Sequence, residues 1–267
     1  MSLADATDLT LQLATALDAA WRARTPIAPL SEANPGLTPA DAYGIQSRWT
    51  ALRLARGDQI VGRKIGLTNP AIQQQLGVDE PDCGALWRSS FHEARGGRAE
   101  IPAADFLQPR LEGEIAFRFG RPLSGGNVTA EDVLAATDAC ALAVEIVDSR
   151  IADWRIKLVD TIADNASYGG FVVGPWDTGL VRADMPALVL QARKDGELAA
   201  EGVGAAVLGH PANSAAWLVN KLSEFGVGLA AGDIVISGAI TRMLPAAAGD
   251  TFVFSLSGQP DLTVAFV

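Results

Sequence analysis

The rhythm of apolar and polar positions changes near residue 60. Before it, Leu9, Leu11, Leu13 and Leu17 stand among alanines, a composition that favours helix. Thr38-Pro39-Ala40-Asp41 starts a second helix, with a threonine cap and a proline in the first turn. That helix carries Tyr43, Ile45, Trp49, Leu52 and Leu54 and ends near Gly57. Between the two, Pro26 to Pro39 holds four prolines and reads as an ordered crossing loop.

From Gly62 onward short strands are separated by glycine and proline. Leu111, Gly113, Ile115, Phe117 and Phe119 share one face of a strand, and Glu112, Glu114, Ala116 and Arg118 the other. Cys140 to Val147 is a nearly continuous apolar run, as expected of a strand covered on both sides. Ala187 to Arg193, Asp195-Gly196 and the segment from Leu198 read as a hairpin with a tight turn. A helix from Pro211 groups Ala215, Leu218, Leu222 and Phe225 and stops at Gly226, and strands near Phe252–Leu256 and Leu262–Val267 close the chain. Strands and helices do not alternate regularly. The pattern predicts an α+β protein with a helical amino-terminal arm over residues 1–60 and a β-rich unit over 61–267.

Composition narrows the classes. Hydrophobic residues make up 49% of the 267 and charged residues 19%, which excludes a disordered chain. A formal charge of −10 argues against nucleic acid or anionic lipid as a partner. No apolar run approaches the roughly 20 residues that cross a bilayer. Two cysteines, Cys83 and Cys140, are too few for a disulfide scaffold. With no basic, apolar leader at Met1–Asp8, a cytoplasmic location is expected.

Glu145 sits in Ala141-Leu-Ala-Val-Glu-Ile-Val147, where every neighbour favours burial. Such a carboxylate must be neutral, pair with a cation such as an arginine, or bind a metal. Glu112 and Glu114 point the same way from one strand, either towards solvent or around a cation. If the three converged, they would form an oxygen-only site suited to Mg²⁺ or Mn²⁺. Lys64, one of only four lysines, lies in another apolar stretch, where it either extends to solvent from a strand end or exchanges a proton. Asp82 follows a proline and fits a turn acceptor as well as a base. Lys157, Asp160 or Thr161, and Asp164 would share a helical face, as an ion-pair ladder or otherwise. Asn165 and Ser167 either cap that helix or face a ligand. There is no P-loop, G-x-G-x-x-G or nucleophile elbow, and His92 and His210 match no zinc spacing.

Five ordered segments carry a family resemblance. They are Gly62-Arg-Lys-Ile-Gly-Leu-Thr68, Gln73-Gln-Gln-Leu-Gly-Val-Asp-Glu-Pro-Asp82, Gln108-Pro-Arg-Leu-Glu-Gly-Glu-Ile-Ala116, Glu145-Ile-Val-Asp-Ser-Arg-Ile-Ala-Asp-Trp154 and Val159-Asp-Thr-Ile-Ala-Asp-Asn-Ala-Ser167. Together they resemble the 2-keto-4-pentenoate hydratases of aromatic meta-cleavage pathways, within the fumarylacetoacetate hydrolase superfamily. The resemblance runs over nearly the whole chain. It implies a mixed β-sandwich/β-roll core, a divalent cation (Mg²⁺ or Mn²⁺) held by Glu112, Glu114 and Glu145, and proton transfer shared by Lys64 and Asp82. Asn165 and Ser167 match a segment lining the substrate pocket. The implied reaction is addition of water to a 2-hydroxy-2,4-dienoate, giving a 4-hydroxy-2-oxoalkanoate. The implied assembly is a homo-oligomer, with a downstream aldolase or decarboxylase as a possible companion.

Relatives that decarboxylate 4-oxalocrotonate are similar, but Pro81-Asp82-x-Gly84 matches the hydratase pattern. Acylpyruvate hydrolysis would need a His–Glu pair that His92 and His210 do not supply, and the intact residue set argues against a non-catalytic partner subunit. Cys83 stands where the hydratases usually carry an aromatic, so a wider pocket is expected. Thr241-Arg242 is similar to relatives taking dicarboxylates or longer chains, which leaves the substrate tail open.

Overall fold

The computed structural model describes residues 3–69, 73, 78 and 80–267. Three helical elements come first: α1 (Leu3–Ala23), the single turn α2 (Leu30–Ala33) and α3 (Pro39–Ala55). The Pro26–Pro39 segment is thus not all loop; α2 interrupts it because Asp160 accepts hydrogen bonds from the Ser31 N–H and hydroxyl. Helix α3 begins as expected, with the Thr38 hydroxyl and the Asp41 carboxylate capping each other's backbone N–H groups.

The larger sheet runs in the order β2 (Asp82–Trp87), β1 (Ile60–Gly66), β10 (Ile234–Ile236), β5 (Arg110–Phe119), β6 (Thr137–Val147), β7 (Tyr168–Val173), β3 (Phe91–Glu93), with β11 (Leu244–Pro245) paired to β5. It mixes parallel and antiparallel neighbours. It also curls, so that β2 at one end comes back into contact with β7. The second sheet is β4 (Arg98–Ile101), β13 (Leu262–Phe266), β12 (Thr251–Leu256), β8 (Val189–Lys194), β9 (Glu197–Val203). The β8–β9 hairpin turns through Asp195 and Gly196, both at positive φ, as the Asp-Gly pair predicts.

The two sheets pack back to back. Leu111, Ile115, Phe117 and Phe119 of β5 are buried in one core with Leu190, Phe252, Phe254 and Val264 of the second sheet. Gly113 lies in the middle of this contact, and a Cβ there would come within 2.5 Å of Leu190. The glycine between the two glutamates therefore allows the sheets to close directly behind them.

Three further α-helices, α4 (Ala130–Ala136), α5 (Leu158–Ala163) and α6 (Pro211–Ser223), and several short 3-10 turns lie between the strands. Phe225, expected on the buried face of α6, lies beyond its end and is 52% exposed. The amino-terminal arm shares the main core through Ala14, Leu17, Ile45 and Trp49. Gln46 on α3 donates to the carbonyls of both Cys83 and Ile162, tying β2 to α5. Among the described residues no helix is long and apolar enough to cross a membrane.

Candidate active site

Strand alternation places Glu112 and Glu114 on the face of β5 turned away from the second sheet. The antiparallel register then sets Glu145 of β6 directly across from Glu112. One carboxylate oxygen from each of the three lies within 4.8 Å of the others. Glu114 and Glu145 are 0% exposed, whereas Glu112 is at a partly open rim. Strands β1 and β6 are not neighbours, but the curl of the sheet lets Lys64 cross the concave face, with Nζ 3.2 Å from Glu145 Oε1.

Asp82 opens β2, opposite Gly66 of β1. A Cβ on Gly66 would lie 2.2 Å from Asp82 Oδ1 and 3.1 Å from Lys64 Nζ, so the missing side chain leaves the two groups a shared space. The Thr161 hydroxyl donates to Asp82 Oδ2 at 3.0 Å, and Oδ1 takes no hydrogen bond.

The electrostatics are unbalanced. Four carboxylates, Glu112, Glu114, Glu145 and Asp82, act on the Lys64 ammonium. Burial alone would push Lys64 down, but these four outweigh it and hold the ammonium charged. Burial raises every carboxylate, most clearly Glu114, with mutual repulsion adding to it at Glu114 and Glu112. Glu112 is pushed up to about 8. Glu114 Oε2 accepts the Gly238 N–H at 2.8 Å, while Glu114 Oε1 and Glu145 Oε2 are buried without any hydrogen bond.

Buried anionic oxygens without partners are costly. A divalent cation among them would supply the missing charge, and an all-oxygen donor set suits Mg²⁺ or Mn²⁺. The residues fit such an ion.

Asn165 and Ser167 lie in a turn with unusual backbone. Asn165, Ala166 and Ser167 have φ of 55°, 54° and 51° in succession. The left-handed region costs about 1–2 kcal/mol for each residue bearing a Cβ. The run turns the Ala166 carbonyl onto Lys64 Nζ at 2.9 Å. Asn165 spends its amide on the backbone of Ala85, accepting from N–H at 2.8 Å and donating to C=O at 2.9 Å. Its side chain thus fixes β2. Ser167 Oγ lies 3.4 Å from Thr161 Oγ1, next to Asp82.

Lys64, Asp82, Glu112, Glu114 and Glu145 are therefore brought together, with Ser167 at the edge. The face 157–164 is no ion-pair ladder: Asp160 serves Ser31, Thr161 serves Asp82, and Asp164 pairs with the buried Arg150. Cys83 departs from expectation. It pairs with Ile65, one residue out of phase with Lys64 and Asp82, so its thiol points to the other face, 3.8 Å from the Tyr43 hydroxyl. It does not widen the site. Of the Gln73–Asp82 segment, Gln74 to Gly77 and Asp79 lie outside the described residues. Thr161 has no local mark that ties it to Asp82, and neither has Gly238; Gly66, two residues after Lys64, does carry a local signal.

The fumarylacetoacetate (FAA) hydrolase C-terminal family model matches residues 60–267. The chain belongs to the fumarylacetoacetate hydrolase family. Within that family it is 44% identical over 247 residues to a 2-hydroxyhexa-2,4-dienoate hydratase of Comamonas testosteroni, covering 92% of this chain and 93% of the relative. It is 43% identical over 256 residues to a 2-keto-4-pentenoate hydratase of Paraburkholderia xenovorans strain LB400, covering 96% and 94%. Among solved structures it is similar to 4-oxalocrotonate decarboxylase from Pseudomonas putida G7 complexed with magnesium and adipate. That match has a TM-score of 0.93 and 33% identity, covering 97% of this chain and 98% of the other.

Proposed function

We propose that this chain is a divalent-metal-dependent hydro-lyase that adds water to a short 2-hydroxy-2,4-dienoate, giving a 4-hydroxy-2-oxoalkanoate. One observation carries the reading: a charged lysine and a free aspartate oxygen border one space beside three clustered glutamates, two of them fully buried. Identity to the named hydratases, 44% and 43%, exceeds the 33% to the decarboxylase and points the same way.

In this reading Glu112, Glu114 and Glu145 hold Mg²⁺ or Mn²⁺. When bound, the ion supplies Lewis-acid chemistry, drawing electron density towards the 2-oxo end of the substrate. The remaining work is proton transfer. The enol O2 loses a proton and C5 gains one, giving a 2-oxo-3-enoate. Water then adds its oxygen at C4 and a proton at C3. Asp82, held through one oxygen by Thr161, takes the proton of the attacking water with the other. Lys64, kept protonated by its surroundings, donates to developing negative charge. Ser167 lies at the substrate's edge of the pocket. A homo-oligomer and association with a downstream aldolase or decarboxylase belong to the same reading.

The test mixes the protein with fresh 2-hydroxypenta-2,4-dienoate and either Mg²⁺ or EDTA. Loss of the dienol absorbance only with metal, with 4-hydroxy-2-oxopentanoate seen by NMR, is expected. The 0.93 TM-score favours one second reading, decarboxylation of a 2-oxo-3-enedioate. Release of carbon dioxide from such a diacid, with no hydration of the dienoate, would establish it instead.

A further inference from the structure

Arg150 touches none of the groups assigned to chemistry. It is 1% exposed, packed over the Trp49 ring, and its guanidinium grips the left-handed turn from outside. Nη1 donates to the Tyr168 carbonyl at 2.7 Å, while Nη2 and Nε donate to the Asp164 carbonyl and carboxylate. Those two carbonyls stand immediately before and after residues 165–167, the run at positive φ. Asp164 is tied in turn by the Arg150 N–H and the Ser149 hydroxyl. Within the bracket, the Ala166 carbonyl is a hydrogen-bond acceptor for Lys64 Nζ and owes its direction to the left-handed backbone.

We propose that Arg150 is a positioning residue: by clamping both ends of the Asn165–Ser167 turn it aims the Ala166 carbonyl that fixes Lys64 beside Glu145 and Asp82. The inference rests on the hydratase reading for its kinetic consequence, but not for its structural one. A planar fork is needed for this grip, because one group must reach two carbonyls and a carboxylate at once. Lysine retains the charge but not the fork.

The test compares wild type, Arg150→Lys and the double variant Arg150→Met/Asp164→Asn. The double variant removes both buried charges together, so neither is left unpaired. The expected kinetic result is a fall in kcat of roughly 10- to 100-fold. KM and the Mg²⁺ concentration for half-activation should stay within about two-fold of wild type. Adding Ala166→Gly to Arg150→Lys should restore part of the lost kcat, since glycine enters the left-handed region without the Cβ penalty that the clamp offsets. A second readout needs no turnover. The chain has four lysines, so ¹³C-labelled lysine NMR of wild type and the double variant gives a small set of ε-CH₂ signals. The Lys64 signal, assigned by Lys64→Met, should show two inequivalent ε-protons in wild type and averaged ones in the double variant.

If all tested dienoates are inert, the functional reading fails while NMR still decides the clamp. An unchanged Lys64 signal in the double variant, unchanged kcat in Arg150→Lys, or an equal loss of kcat, KM and metal response would each overturn the proposal.

Discussion

Two buried charge clusters lie side by side in this molecule and are built on opposite principles. Around Arg150 and Asp164, 1% and 0% exposed, the carboxylate accepts from Arg150 Nε, the Arg150 N–H and the Ser149 hydroxyl, and each guanidinium nitrogen has an acceptor. Around Glu114 and Glu145, both 0% exposed, three carboxylate oxygens have no hydrogen bond and four carboxylates face one ammonium. The first cluster is complete within the chain and holds a turn. The second is complete only with something added. Burial by itself does not distinguish structure from chemistry; the count of satisfied atoms does.

The sharpest way to break this contrast is Glu145→Gln. Activity should fall by more than the roughly 10- to 100-fold that losing an outer partner of a metal ligand costs. The metal-free protein should nevertheless melt no lower than wild type, because Asp82, Glu112 and Glu114 still face Lys64 and the excess of buried negative charge falls by one. Mg²⁺ should raise the wild-type melting temperature and leave that of the variant unchanged. A variant that keeps both activity and the Mg²⁺ response would remove the metal site from Glu145.

Asp164→Asn is the opposite case. It leaves the Arg150 guanidinium buried without its carboxylate, and chemical denaturation should show a loss of about 3–5 kcal/mol. A loss under about 1 kcal/mol, the upper range for a surface pair, would show that the Arg150–Asp164 pair does not hold the fold at this turn.

The third prediction is a pH dependence that a metal ion can change only at the unsatisfied cluster. Glu112 is raised to about 8 from an ordinary 4.5, so the metal-free folded state binds its proton more tightly than the unfolded chain does. The stability from that proton is fully present below about 4.5 and is lost as pH rises through about 8. Glu114 and Glu145 are also raised and act in the same direction. In EDTA the melting temperature should therefore fall as pH rises from about 4.5 to 8, and saturating Mg²⁺ should flatten or reverse the slope. Equal slopes with and without metal would mean that protons and the ion do not compete for these carboxylates.

Much of the unsatisfied cluster was legible in the sequence. A glutamate inside an apolar run is anomalous wherever it lies, and two glutamates at i and i+2 on an alternating strand must share a face, as the β5–β6 register shows. The resemblance joined them to Lys64 and Asp82. The satisfied cluster was far less legible, because nothing local marks it. Arg150 looks like any arginine in Asp148-Ser-Arg150, and Ala166 has no preference for the left-handed region, which tertiary contacts impose here. The α2 turn was hidden for the same reason: Asp160, 129 residues away, holds it. Strand phase is similarly unforgiving, since one residue decides which face a side chain takes.

That phase supplies the smallest expected effect. In sequence, Cys83 is next to Asp82 and invites a role in shaping the pocket. In register it pairs with Ile65, on the face opposite Lys64, and meets Tyr43 instead. Burial pushes the thiol up to about 11, so it is neutral at the pH of an assay and acts as packing. Cys83→Ala removes one buried heavy atom and should lower stability by about 1 kcal/mol. The ratio of kcat/KM for pentadienoate to that for a longer or dicarboxylate dienol should stay within about two-fold of wild type. A changed ratio would mean that the substrate tail reaches past β2 to the Tyr43 side, and the wall of the pocket would then have to be redrawn around that tyrosine. An unchanged ratio turns the search for tail specificity to the residues on the Lys64 face of the curled sheet.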